Sequence, residues 1–179
     1  MLYTRKGDTG ESGLFGTNER FPKNSLVYEA LGTIDELNSL LGVCRAKATG
    51  KKHDLMPLVS SMVQSVQEHL FIMEAQIAGA EKNITKEYVD EIEKMVAQLE
   101  ERLPKLHSFI IPGATELSAL LDLARAVSRR AERAVIAMSA TKPIPDATKA
   151  YLNRLSSLLY ALARFAATQE GAREVAPSY

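Results

Sequence analysis

The sequence predicts an all-α fold: a five-helix antiparallel bundle with ferritin-like up-down packing, preceded by a Gly-rich N-terminal loop. Three observations predict it. Apolar residues recur at three- and four-residue spacing from Leu26 to Ala166. Nothing in that span alternates with period two, so no sheet is expected. Short breaks bearing Gly, Pro, Asn or Asp divide it into five stretches, each long enough for a helix of about 20–28 residues. A chain of 179 residues suits a single domain with a sizeable core. Its expected parts are a loop over 1–24, a bundle over 25–171 and a loose tail over 172–179.

The first 24 residues differ in kind from the rest. Thr4-Arg5-Lys6-Gly7-Asp8-Thr9-Gly10-Glu11-Ser12-Gly13-Leu14-Phe15-Gly16 holds four glycines, several hydroxyls and two bases, with no helical period. Glycine lets backbone N–H groups converge on an anion, hydroxyls add donors, and Arg or Lys adds charge. The spacing is neither that of a Walker loop nor that of a dinucleotide fingerprint. A phosphate cradle and a floppy terminal arm both fit these residues.

From Asn24 the pattern is helical. The first seam runs Leu26, Ala30, Ile34, Leu37, Leu41, Cys44, Ala48, with Asn24-Ser25 as caps and Gly50 beyond its end. Asp35, Asn38, Ser39 and Gly42 form its polar flank. After Lys51-Lys52-His53-Asp54 the second seam is Leu55, Val59, Met62, Val66, Leu70, Met73, Ile77, closed by Gly79 and Asn83. Thr85 opens a charge-rich third helix, expected on the outside, with Val89, Ile92, Val96, Leu99, Leu103 and Leu106 in phase. Two prolines, Pro104 and Pro112, then bracket Phe109-Ile110-Ile111. By pattern such a tripeptide is expected to plug the end of the bundle; the alternative is that Phe109 lines a ligand cavity.

Thr115 caps the fourth helix, whose seam is Leu117, Leu120, Ala124, Val127, Ala131, Ala134, Met138. Its opposite face is unusual. Asp122, Arg125, Arg129 and Glu132 fall within roughly 80° of one another at helical spacing. An ordinary solvated face mixes Lys, Glu, Gln and Asn. Arg at turn spacing suits polyphosphate or carboxylate recognition, because the planar fork donates two parallel bonds. A salt-bridged surface or subunit contact is the alternative. Asp146 is the expected cap of the last helix, with its seam at Leu152, Leu155, Leu159, Leu162 and Ala166 and its end at Gly171. Asn153, Ser157, Tyr160 and Arg164 make its polar line.

Several function classes are excluded. With 22 Lys+Arg against 22 Asp+Glu, no global field holds nucleic acid or an anionic membrane. The single cysteine, Cys44, forms no internal disulfide and reads as a buried structural thiol. None of His53, His69 and His107 stands three residues after a Glu, so a di-iron cage is not expected. No apolar run approaches a membrane span and the start has no secretory pattern, so a soluble cytoplasmic protein is expected.

Three separated stretches agree on one family. Tyr3-Thr4-Arg5-Lys6-Gly7-Asp8-Thr9-Gly10, then Glu29-Ala30-Leu31-Gly32-Thr33-Ile34-Asp35-Glu36-Leu37-Asn38, then Ala124 to Val135 with Tyr151-Leu152-Asn153-Arg154-Leu155-Ser156 resemble the PduO-type ATP:cob(I)alamin adenosyltransferases. The likeness runs from Tyr3 to about Gly171. It implies a homotrimer of five-helix bundles with active sites at the subunit interfaces, where the loop of one subunit wraps ATP against the arginine-bearing helix of its neighbour. By position, the ATP site would take Thr4, Arg5, Lys6, Gly7, Ser12, Gly13 and Lys23 from the loop. Arg129, Arg130, Glu132, Arg133 and Asn153 would come from the helices. Asp35 matches an interface carboxylate paired with the matched Arg125, and Phe109 matches the aromatic at the cobalamin face. Two departures are Gly13, where many relatives carry a hydroxyl residue, and Pro112-Gly113-Ala114-Thr115, which replaces a Gly-richer turn.

The implied chemistry fits these residue types. Co(I) of the reduced corrinoid attacks the ribose 5′ carbon of ATP and expels triphosphate. The nucleophile belongs to the cobalamin, so no Ser, Cys or His triad is required. The protein aligns the reactants and stabilises the leaving group through Arg129, Lys6, Lys23, loop amides and Mg²⁺, with no dedicated metal cage. An apolar wall at Phe109 would exclude the lower axial ligand. A Co(II) reductase and a cobalamin-dependent client enzyme are the implied partners, and a catalytically inactive ATP-binding regulator is the alternative function.

Overall fold

A computed structural model describes residues 3–49, 56–105 and 108–179. The expected seam residues Leu55 and Leu106, the 51–54 stretch, and His53 and His107 lie outside the described residues.

Five helices follow a small hairpin: β1 (Glu11–Gly13), β2 (Arg20–Pro22), α1 (Leu26–Thr49), α2 (Met56–Ala78), α3 (Lys86–Glu100), α4 (Glu116–Ser139) and α5 (Asp146–Gln169). The apolar seams form most of the core, but Leu26 at the start of α1 is 45% exposed, and on α4 Leu121 and Val135 lie deeper than the expected Leu120 and Ala134. Ile34, Leu37, Leu41, Val59, Leu70, Met73, Leu117, Leu155 and Leu159 are all fully buried. Each such side chain contributes about 1.5–3 kcal/mol on leaving water. Cys44 is buried among them, and burial pushes its thiol up to about 11, so it stays a neutral packing group.

Side-chain contacts give the helix directions. Glu36 pairs with Arg130 and Lys47 with Glu116, so α1 and α4 run antiparallel. Gln67 donates to the Asn38 carbonyl and Thr49 bonds Ser60, which makes α1 and α2 antiparallel. Asn153 reaches Glu132 and Thr115 reaches Glu170, so α4 and α5 are antiparallel too. α3 packs on α5, with Arg154 on Glu93 and Arg164 on the Pro104 carbonyl, and these two run parallel. Directions therefore alternate along the chain. The N-terminal residues and the α2–α3 and α4–α5 connections share one end of the bundle; the α1–α2 and α3–α4 connections share the other.

Helix ends are set locally. Thr115 makes a full capping box with Ser118, the hydroxyl of each accepting the backbone N–H of the other at 3.2 and 3.0 Å. Ser25 opens α1 through its carbonyl, which accepts from Tyr28 and Glu29, while its hydroxyl caps nothing. Pro145 takes the capping position expected of Asp146, which is instead the first helical residue, favourably placed near the helix's positive end. Gly79 terminates α2 at φ 101°, a conformation that excludes most side chains.

Three expectations are corrected. The 1–24 stretch contains a two-stranded antiparallel sheet, pairing Glu11 with Pro22, Ser12 with Phe21 and Gly13 with Arg20. Three-residue strands are too short to carry a period-two signal. α3 has 15 residues, short of the expected length, because Leu103-Pro104 falls after its end. Residues 172–179 form no helix or strand, yet Glu174 pairs with Arg164 and the Val175 carbonyl accepts from Ile111 at 2.8 Å.

A buried polar cluster joins three helices. His69 of α2 bonds the Tyr151 hydroxyl of α5 through Nδ1 at 3.0 Å, stacks edge-on with Tyr88 of α3 and has Glu91 of α3 at 3.6 Å from Nε2. Burial lowers the His69 pKa from its ordinary 6.5, against the opposing pull of Glu91 and Glu68. The folded state therefore binds fewer protons here than the unfolded state, and the stability this group confers is complete above pH 6.5 and declines below it. His69→Gln should flatten that acid limb in urea titrations between pH 7 and 5; an unchanged pH slope would remove His69 as its source.

Candidate functional site

α4 turns its polar stripe toward α5. Glu132 accepts from Asn153 at 3.2 Å, and Arg154 donates to the Asn153 amide oxygen at 2.8 Å and to Glu93 at 2.9 Å. Arg129 and Arg133 stand exposed beside this chain of bonds, with no ion-pair partner among the described residues. Two free guanidiniums thus flank a carboxylate–amide pair already held in place. One turn back, Arg125 donates to Asp122 at 3.0 Å. Arg130 leaves the stripe: at helical spacing it points toward α1, where it pairs with Glu36.

The second group of expected residues lies in the N-terminal hairpin. Thr4 Oγ1 accepts from the Lys6 N–H, and Arg5 sits over the Tyr3 ring with φ 61°, a left-handed conformation costing a non-glycine residue about 1–2 kcal/mol. Strained backbone of this kind clusters at ligand-binding loops. A Cβ on Gly7 would stand 3.0 Å from Lys23 Nζ, so glycine there admits the ammonium. Lys23 is tied in turn by its N–H to the Gly10 carbonyl at 2.9 Å. Ser12 and Gly13 are in β1. One organising residue escaped sequence reasoning: Arg20 donates to the carbonyls of Lys6 and Glu11 and pairs with the Glu11 carboxylate at 3.5 Å. Its partners are 9 and 14 residues away, beyond any local spacing rule.

Phe109 is 77% exposed, so it does not plug the bundle. Only Ile110 of its tripeptide is half-buried. A cleft of about 550 Å³, lined by Val96, Leu103, Pro104, Tyr160 and Arg164 among others, opens beside this connection.

A further face was legible only in part, through Asp35, while Glu74 was not singled out. Asp35 is exposed over the α1/α2 groove, beside Gly32, Phe71 and Glu74. Burial, with the charge of Asp35 next, pushes the Glu74 carboxyl up to about 7. Among the described residues the buried side-chain oxygens without a partner are those of Ser25, Tyr28, Asn38, Gln67 and Glu74, and all lie on α1, on α2 or in the turn before α1. Each orphan costs about 1–3 kcal/mol if nothing supplies a donor. For Glu74 the sequence signal is its place as a lone acid inside the apolar run 70–75.

One chain does not assemble these parts. The hairpin sits at the C-terminal end of α4, where Phe15, Phe21, Met138 and Lys142 line one cleft. Phe109 precedes the N-terminal end of the same helix, and 24 residues at 1.5 Å each separate those ends by about 36 Å. Asp35 lies over the α1/α2 groove and Arg125 on the α4/α5 side, so they do not meet within one chain.

Residues 2–166 match the family described as cobalamin adenosyltransferase. A corrinoid adenosyltransferase of Citrobacter freundii is 35% identical over 174 residues, covering 93% of this chain and 95% of that protein. The corrinoid adenosyltransferase PduO of Salmonella typhimurium is also 35% identical, and the alignment covers 91% of this chain but about half of that protein, 48%. A solved structure of a Phe-to-His variant of the PduO-type ATP:corrinoid adenosyltransferase of Lactobacillus reuteri, complexed with cobalamin and ATP, superposes with TM-score 0.90 at 26% identity, covering 99% of this chain and 96% of that one.

Because Arg129 and Phe109 are exposed and bond nothing among the described residues, neither holds the bundle together. Arg129→Ala and Phe109→Ala should each leave stability within about 0.5 kcal/mol of wild type in chemical denaturation. A loss beyond about 1 kcal/mol would assign them a structural role.

Proposed function

The chain belongs to the cobalamin adenosyltransferase family, and from that premise we propose that it transfers the 5′-deoxyadenosyl group of ATP to Co(I) of a reduced corrinoid, releasing triphosphate. The observation that carries this reading is the pair of guanidiniums, Arg129 and Arg133, that have no partner among the described residues and stand beside the Glu132–Asn153 bond. In the reaction a Co–C5′ bond forms as the C5′–O bond breaks, and both electrons of the broken bond leave with the triphosphate. Negative charge builds on that leaving group, and preoriented cationic donors stabilise it most where charge develops. Lys6, Lys23 and the loop amides supply the other donors. Mg²⁺ enters with the nucleotide, carried on its phosphates. Phe109 faces the corrinoid.

The site forms between copies in a cytoplasmic homotrimer, the loop of one subunit meeting the α4 stripe of the next. Two features support this. The loop and Phe109 occupy opposite ends of one chain, and the α1/α2 face presents orphaned oxygens together with the carboxylates of Asp35 and Glu74. An α4 face bearing Arg125, Arg129 and Arg133 is its chemical complement. Arg125 then exchanges or shares Asp122 for the neighbour's Asp35.

An anaerobic assay with ATP, Mg²⁺ and reduced cobalamin, followed by the spectrum of the alkylated product, tests the activity. Arg129→Ala should lower kcat/KM by about 10²–10³, and Phe109→Ala should lose transfer without a comparable loss of ATP binding. ATP that raises the melting temperature without yielding product would instead make the chain a nucleotide-binding regulator. For the interface, Asp35→Arg and Arg125→Asp should each dissociate the assembly in sedimentation, and the double variant should restore it; additive losses reject the pairing.

A further inference from the structure

Phe109 has no packing of its own to hold it. Its ring is 77% exposed and stands outside the apolar core. Its position is therefore set by how the backbone on either side is anchored, and both anchors converge on one guanidinium. Arg164 of α5 donates through Nε and Nη2 to the two oxygens of Glu174, at 2.7 and 2.9 Å, and through Nη2 to the Pro104 carbonyl at 3.0 Å. One residue beyond Glu174, the Val175 carbonyl accepts from the Ile111 N–H at 2.8 Å. Pro104 lies before Phe109 and Ile111 after it. The C-terminal segment thus forms a strap over the α3–α4 connection, riveted to α5 through Arg164.

The rivet is of an unusual kind for this chain. The Arg164 and Glu174 side chains are 10% and 19% exposed, whereas Lys86–Asp90, a surface pair, is 79% and 41% exposed. A two-bonded Arg–carboxylate contact shielded from water is both stronger and more directional than a surface pair. Such a contact holds backbone, not merely charge.

We propose that Arg164 and Glu174 are positioning residues that fix Phe109 at the corrinoid-facing end of the site by clamping the connection on both sides of it. The inference rests on the reading of Phe109 as the aromatic that meets the corrinoid. On this reading each acts through its hold on the backbone at Pro104 and at Ile111, not by contact with substrate.

The chain contains no Trp, so Phe109→Trp installs a single indole that reports motion at that position. In this background Glu174→Ala and Arg164→Lys should lower the steady-state fluorescence anisotropy. Lysine keeps the charge but cannot span both carboxylate oxygens and a carbonyl. Glu174 lies outside the helices, so its removal leaves the bundle intact even if Arg164→Lys disturbs α5. With Phe109 restored, Glu174→Ala should raise KM for the reduced corrinoid roughly 10- to 100-fold while KM for ATP stays unchanged. Unchanged anisotropy overturns the clamp, and an equal rise in both KM values overturns its assignment to Phe109. A wild-type chain with no transfer activity would reject the proposed reaction, and the anisotropy would then decide the clamp alone.

Discussion

Strict alternation of helix direction governs what this molecule can do. Each helix reverses the last, so the N-terminal hairpin and the α3–α4 connection come to opposite ends of α4, about 36 Å apart. The glycine-rich loop and an exposed aromatic are thereby kept apart within one chain. A site that uses both must draw them from two chains. Asp35 lies over the α1/α2 groove and Arg125 on the α4/α5 side, so the two do not meet within one chain.

α4 shows how such a surface costs the fold so little. Its seam of Leu117, Leu121, Ala124, Val127, Ala131 and Val135 is buried against neighbouring helices, and that burial holds the helix. Surface ion pairs contribute about 0–1 kcal/mol each. Leaving Arg129 and Arg133 unpaired therefore sacrifices almost no stability, while it keeps two forked donors available. The α1/α2 face makes the opposite case. Its partnerless oxygens on Asn38, Gln67 and Glu74 are buried, where the lack of a donor is expensive. Free donors on one face and orphaned acceptors on another are chemically complementary, as the proposed assembly requires.

The site residues were unevenly legible in the sequence. Arg129 and Glu132 fall on one face of α4 because turn spacing alone aligns them, and the Glu132–Asn153 bond joins that stripe to the polar line of α5, each visible in isolation. Arg130 sits next to Arg129 in sequence, yet one residue is a rotation of about 100°, enough to hand it to Glu36 on α1. Phe109 stood out as part of an apolar tripeptide between prolines, but apolar character could not say whether it faces the core or water. Arg20, which ties the loop through the Lys6 and Glu11 carbonyls, left no local trace.

The sequence by itself determined the elements whose signals are local: the five seams, the Thr115 cap, the glycine-rich loop and the arginine stripe all depend on residues within one or two helical turns. Only the tertiary structure decided the strand pairing of Ser12 with Phe21, the capture of Arg130 by Glu36 and the strap from Glu174 to Arg164. The physical reason is separation along the chain. A bond between Glu36 and Arg130 spans 94 residues, and nothing in the spacing around either residue specifies it. It follows from which helix faces the packing of apolar seams brings together.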